Sequence, residues 1–148
     1  MGNYNKVLLA VDFHSDNREI VERAESVVRD NGSELLLIHV NEPLAVAYTA
    51  DGMATWGDEL VSLETSIRKE SQKKLADLAT RLSVKADNAF LREGRPSSEI
   101  HAVAKENGVD LIVLGTHGQH GIQLILGSTA NSVLHGAPCD VLCVRVKN

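Results

Sequence analysis

Val7-Leu8-Leu9-Ala10-Val11 is a continuous apolar run that stops at Asp12, and Leu35-Leu36-Leu37-Ile38-His39-Val40 is a second run of the same kind. Neither alternates polar with apolar, so each reads as a strand buried on both faces. Between them Asp16-Asn17-Arg18-Glu19 has capping-box spacing, an acid at the N-cap and Glu three residues later. Ile20, Ala24, Val27 and Val28 follow at helical spacing, and Asn31-Gly32 is a helix stop. Strand, helix and strand make a β-α-β unit of about 35 residues, which commits the chain to parallel pairing.

The rest of the chain repeats that alternation. From about Asp58 to Leu82, the residues Leu60, Leu63, Ile67, Leu75, Leu78 and Leu82 mark one helical stripe, and Glu64–Arg68 and Glu70–Lys74 are i,i+4 pairs on a solvated face. Ala86 to Leu91 is a weaker strand, ended by the turn Gly94-Arg95-Pro96. Pro96 suits the first turn of a helix carrying Ile100, Val103 and Ala104 inward and ending at Gly108. Asp110 to Leu114 is the fourth strand. Ala130, Val133 and Leu134 define a short helix closed by Gly136 and Pro138, and Val141 to Val146 is the last strand. Five strands alternating with four helices predict one α/β domain over 1–148, a five-stranded parallel sheet with helices on both faces. The expected order is 3-2-1-4-5, a doubly wound, Rossmann-like arrangement. The stretch from Asn41 to about Gly57 carries Pro43, Gly52 and Trp56 without periodicity. A loop of that length is usually functional or mobile, and Trp56 suits either a pocket cap or packing on the second helix.

Composition narrows the function classes. A net charge of −5 lacks the basic footprint of a nucleic-acid-binding surface. No apolar run reaches the length of a membrane span, and the N-terminus leads into the first strand with no signal-peptide pattern. Aromatic residues make up only 3%, so the core is aliphatic. Cys139 and Cys143 lie in a strand-like segment that separates them by roughly 13 Å, too far for a disulfide. They read as reduced core thiols of a cytosolic protein, without a second Cys or His pair to make a zinc site.

The residues that point at a ligand follow the fourth strand. Gly115-Thr116-His117-Gly118 is followed, after the eight residues Gln119 to Leu126, by Gly127-Ser128-Thr129 at the start of a helix. Glycines let backbone approach a ligand, and a helix opening offers unpaired N–H groups to phosphate. In a doubly wound sheet the ligand crevice lies where the strand order reverses, here between the strand ending at Asp12 and the one ending at Gly115. No Lys lies between Gly115 and Asn131, so this is not a Walker A loop. The first turn, Asp12-Phe13-His14-Ser15, has no glycine, so it is not a dinucleotide fingerprint either. A phosphate here would rest on amides and hydroxyls, which suits binding more than activation.

Taken together, Val7 to Asp12, Leu37-Ile38-His39-Val40, Gly94 with Pro96 before Ile100, Asp110 to Gly118, Gly127-Ser128 and Val141-Leu142-Cys143-Val144 resemble the universal stress protein family over nearly the whole chain. The resemblance implies an adenine nucleotide alpha hydrolase-like α/β fold, a cytoplasmic homodimer and, in one branch of the family, bound ATP or AMP. Carried over, Ala10, Val11 and Asp12 would line the adenosine side, with Asp12 near the ribose or a phosphate-bound Mg²⁺, and Val40 would contact adenine. Leu114 would belong to the same site. Gly115, His117 and Gly118 would cradle ribose and phosphates, with Gly127, Ser128 and Thr129 completing the phosphate site. The nucleotide-binding pattern usually has nine residues where this chain has eight; the branch without nucleotide resembles the shorter spacing but loses the glycines kept here.

Other readings stay open at this point. Asp12 also suits a helix-entry role, and His39 within a strand reads as a packed core histidine. His117, flanked by glycines, reads as a backbone contributor rather than a base. The last strand, with Val141, Val144 and Val146, forms a sheet edge suited to pairing with a second copy. A stress protein that binds no nucleotide and works through protein partners is the alternative. No pyrophosphatase-type loop or positioned base is present, so slow ATP hydrolysis is the most catalysis expected. A receiver domain would need an Asp where Phe90-Leu91-Arg92 stands.

Overall fold

The computed structural model describes residues 3–13, 16–43, 57–116 and 128–146. Strands β1 (Lys6–Ala10), β2 (Glu34–Asn41), β3 (Ala89–Glu93), β4 (Leu111–Gly115) and β5 (Asp140–Val144) form one sheet in the order β3-β2-β1-β4-β5. Every pairing is parallel, as the apolar runs require. Helices α1 (Arg18–Asn31) and α2 (Gly57–Arg81) cover one face, and α3 (Pro96–Glu106) and α4 (Ser128–Leu134) the other. Alternation along each strand feeds two cores: Val7, Leu9 and Val11 pack under α1 and α2, while Leu8 packs with Ile100, Val103 and Val133 under α3 and α4. Burial on both faces is why these strands show no polar alternation.

Several local expectations are corrected. The N-cap of α1 is Asn17, not Asp16, and no side-chain cap bond forms there. Asp16 Oδ1 instead accepts from the Arg18 N–H at 2.9 Å, and its carboxylate pairs with the Arg18 guanidinium at 2.8 Å, so the Asp16–Glu19 box is not realised. The third strand starts later than its sequence suggests: Ala86–Asn88 is a 3-10 turn and β3 begins at Ala89. Asp and Asn favour such local turns, and the Asn88 amide donates to Glu34 Oε2 at 2.8 Å, tying the turn to the start of β2. Similarly, β5 ends at Val144 rather than Val146.

The stripe on α2 is buried only in its second half. Leu75, Leu78 and Ala79 are in the core, whereas Val61 and Leu63 are 62% and 48% exposed. The reason is length. A 25-residue helix runs about 37 Å, longer than any strand it crosses: β2, the longest, has 8 residues and spans about 27 Å. Of the two ion pairs expected on this helix, Glu70–Lys74 forms at 3.1 Å. Arg68 turns instead to Glu93 at the end of β3. Leu134, expected inside, is 43% exposed at the end of α4.

The chain leaves α2 through Ser83, a non-glycine residue with φ of 57°. A left-handed residue with a Cβ is strained, and glycine is the natural occupant of this position after a helix. Ser83→Gly is expected to stabilise the fold by about 0.5–1 kcal/mol, raising Tm by roughly 1–4 °C in a thermal melt. A lowered Tm would show that the Ser83 side chain matters more than its backbone.

Cys139 and Cys143 are free and partly buried against the α3–α4 core. Burial pushes both thiols above the ordinary cysteine range, with Asp110 and Asp140 adding to the effect at Cys139. Such thiols carry little thiolate and react slowly.

Candidate functional site

The C-terminal ends of β2, β1 and β4 lie side by side where the strand order reverses. In register, Ala10 faces Ile38 and Leu9 faces Val113. Two residues further on, Asp12 is therefore level with Val40, and Val11 is level with Gly115. Val40, Asp12 and Gly115, read as site residues from three separate segments, converge on one edge of the sheet. Ala10 and Val40 pack toward the α3–α4 core, which also holds Leu114. Val11 points the other way, 5% exposed under α1 and α2, so its side chain does not reach this crevice face.

Asp12 is exposed at the mouth. Ser128 and Thr129 are exposed at the start of α4, which Ala130 and Val133 anchor in the core. Across the sheet's face, His101 Nε2 donates to the Val133 carbonyl at 2.7 Å, joining α3 to the end of α4. His117, Gly118 and Gly127, together with Trp56 and positions 44–56 of the long loop, lie outside the described residues.

A buried polar chain supports the end of β1. His39 is 4% exposed, and its ring lies 4.5 Å from that of Phe13. Nδ1 lies 2.8 Å from the Val11 carbonyl, so it donates there. Nε2 lies 2.9 Å from Asn41 Oδ1, which also accepts from Ser71 Oγ at 3.1 Å, leaving Asn41 Nδ2 buried without a partner. A neutral ring donating through Nδ1 has a bare lone pair at Nε2. Rotating the Asn41 amide by half a turn brings Nδ2 onto both that lone pair and Ser71 Oγ, so this orientation belongs to the neutral imidazole. The core reading of His39 is therefore right, with a second duty: it ties β2 to the exit of β1 and, through Asn41 and Ser71, to α2.

Asn17 holds the other side of that exit. Its Oδ1 accepts from the Asp12 N–H at 3.2 Å, and its Nδ2 donates to the Asp12 carbonyl at 2.8 Å. Sequence reasoning passed over Asn17, Asn41 and Ser71. Their only signal was polarity beside a strand end or within a helix.

The donor set can be weighed against a nucleotide and its metal. One exposed carboxylate at the end of a strand suits Mg²⁺ only when phosphates supply its other ligands. Among the described residues, no group of three His, Cys, Asp or Glu side chains could hold a metal unaided. A metal at Asp12 would therefore come with the nucleotide.

The model of the universal stress protein family matches residues 3–145. The chain belongs to that family. Universal stress protein A homolog 2 of Coxiella burnetii is 43% identical over 99% of both chains. Among solved structures, the universal stress protein UspA from Lactobacillus plantarum superimposes with a TM-score of 0.67 at 24% identity, over 98% of this chain and 100% of that one. A universal stress protein in complex with cAMP matches at a TM-score of 0.53 and 22% identity, over 96% and 97% of the two chains. Both likenesses are in the fold. Among the described residues of this family member, no helix is long and apolar enough to cross a membrane.

Proposed function

We propose that the chain is a nucleotide-binding regulatory module that takes ATP or AMP, with Mg²⁺ carried by the phosphates, in the crevice between the ends of β1 and β4. The observation that carries this reading is the convergence of Asp12, Val40 and Gly115 at the C-terminal ends of three adjacent strands, at the reversal of strand order. Ligands of doubly wound sheets sit at that place, and a protein of similar fold has been solved with cAMP. In this reading Ala10, Val40 and Leu114 back the adenosine, Asp12 meets ribose or metal, and Gly115 opens the loop. That loop, with His117, Gly118, Gly127, Ser128 and Thr129, takes the phosphates. Val11 contributes through the course of its backbone.

The same proposal makes the protein a cytoplasmic homodimer, joined along the outer edge of β5, which stands last in the sheet order and has no strand beyond it among the described residues. Val144 is buried at 5%, so that edge would offer a second copy its backbone more than its Val144 side chain. Function is binding rather than turnover; sustained ATP hydrolysis well above about 1 s⁻¹ would overturn that.

Calorimetry with Mg·ATP tests the site. Saturable binding is expected, weakened about tenfold or more by Asp12→Ala, the loss of one charge-assisted contact. No heat at millimolar nucleotide, with Tm unshifted by ATP, sinks the proposal in favour of a module working through protein partners alone.

A further inference from the structure

We infer that Asn17 is a positioning residue for the ligand contact of Asp12, acting with His39 to lock the turn that leaves β1; this rests on the nucleotide reading above. The Val11 N–H donates to the Ile38 carbonyl at 3.0 Å, and the Val11 carbonyl accepts from His39 Nδ1 at 2.8 Å. The Asp12 N–H and carbonyl are both held by the Asn17 amide, at 3.2 and 2.8 Å. All the backbone polar groups of these two residues are thus engaged inside the protein. Of the polar groups of these two residues, the one turned to the mouth of the crevice is the exposed Asp12 side chain.

The identity of Asn17 fits this role better than that of a helix cap. An Asn at an N-cap ordinarily accepts from the first N–H groups of its own helix, yet this one makes no such bond. Its amide turns back five residues instead. Clasping an N–H and a carbonyl at once requires a donor and an acceptor on one short planar group, which Asn has and Asp, Ser and Thr at this geometry do not. The clasp fixes the turn before any ligand arrives, so the carboxylate is aimed without an ordering cost on binding. An acceptor-only carboxylate so placed meets hydroxyl donors or a cation rather than phosphate oxygens.

A double-mutant cycle tests this, with Mg·ATP as probe and calorimetry as readout. Asn17→Ala is expected to weaken binding about tenfold, the order of one lost positioning contact. Asn17→Asp should weaken it at least as much, because a carboxylate cannot donate to the Asp12 carbonyl. In an Asp12→Ala background, Asn17→Ala should change affinity little, since its effect runs through Asp12. Wild-type affinity in N17A, or fully additive losses, overturns the inference.

Hydrogen exchange of the nucleotide-free protein gives a second arm. The Asp12 amide should exchange at least about tenfold faster in N17A, while the amides of Leu8 and Leu9 stay protected and report an intact fold. Unchanged Asp12 exchange overturns the clasp. If N17A unfolds, Asn17→Asp carries the affinity test and Asn17→Leu, which can neither accept from the Asp12 N–H nor donate to its carbonyl, carries the exchange test. A wild-type chain that binds no ATP overturns the nucleotide reading instead, and exchange then decides alone whether Asn17 holds the turn.

Discussion

Leu9→Ala is expected to lower unfolding free energy by about 2–5 kcal/mol, the range for emptying a fully buried leucine site. Leu9 has 0% exposure and lies in the core under α1 and α2. On the central strand it stands between Leu37 of β2 and Val113 of β4. Neighbours fixed in two hydrogen-bonded ladders cannot collapse into the space a lost isobutyl group leaves, so the cavity term adds to the transfer term. Leu63→Ala removes the same atoms from a site that is 48% exposed on the overhanging half of α2, and is expected to stay within about 0.5 kcal/mol of wild type. Urea titration of both variants gives the comparison. Similar midpoint shifts would mean that α2 is covered in solution along its whole length, or that the core over β1 is loosely packed.

Leu9 and Leu63 also show where sequence reading stops. Leu9 sits in an unbroken apolar run, a pattern that depends only on burial of both strand faces, and so the sheet order and the two cores were legible before the structure. Leu63 sits in an equally regular stripe, but whether a stripe is covered depends on the length of the sheet beneath it, which periodicity does not encode. The start of β3 and the cap of α1 failed for a related reason. Asp16, Asp87 and Asn88 have several local partners of similar energy, and tertiary neighbours such as Glu34 decide among them. At the candidate site, the place of Asp12 and Gly115 followed from the strand order, which brings the ends of β1 and β4 together, whereas Val40 was named through the family resemblance alone. Asn17, Asn41 and Ser71 were not, because their partners are backbone and side-chain atoms from other segments of the chain.

His39→Leu is the second substitution with a large expected effect, about 2–5 kcal/mol of destabilisation despite the greater hydrophobicity of leucine. The ring is almost fully buried, and its two nitrogens satisfy the Val11 carbonyl and the Asn41 amide. Leucine fills much of the volume but leaves the Val11 carbonyl without the ring's hydrogen bond and takes from the Asn41 amide one of its two partners, at about 1–3 kcal/mol for each lost bond. The loss of the ring contact with Phe13, whose centroid lies 4.5 Å away, adds to this. Two conservative replacements separate the contributions. In Asn the side-chain nitrogen can stand where Nδ1 stood and keep the bond to Val11; in Gln it can stand where Nε2 stood and keep the bond to Asn41. Each is expected to recover part of the loss, and His39→Asn the larger part, because among the described residues the Val11 carbonyl has no second donor whereas the Asn41 amide still has Ser71. Chemical denaturation of the three variants gives the ranking. Leucine as stable as histidine would mean that water enters this part of the core and replaces the ring's hydrogen bonds, and that the exit of β1 is held from the Asn17 side alone.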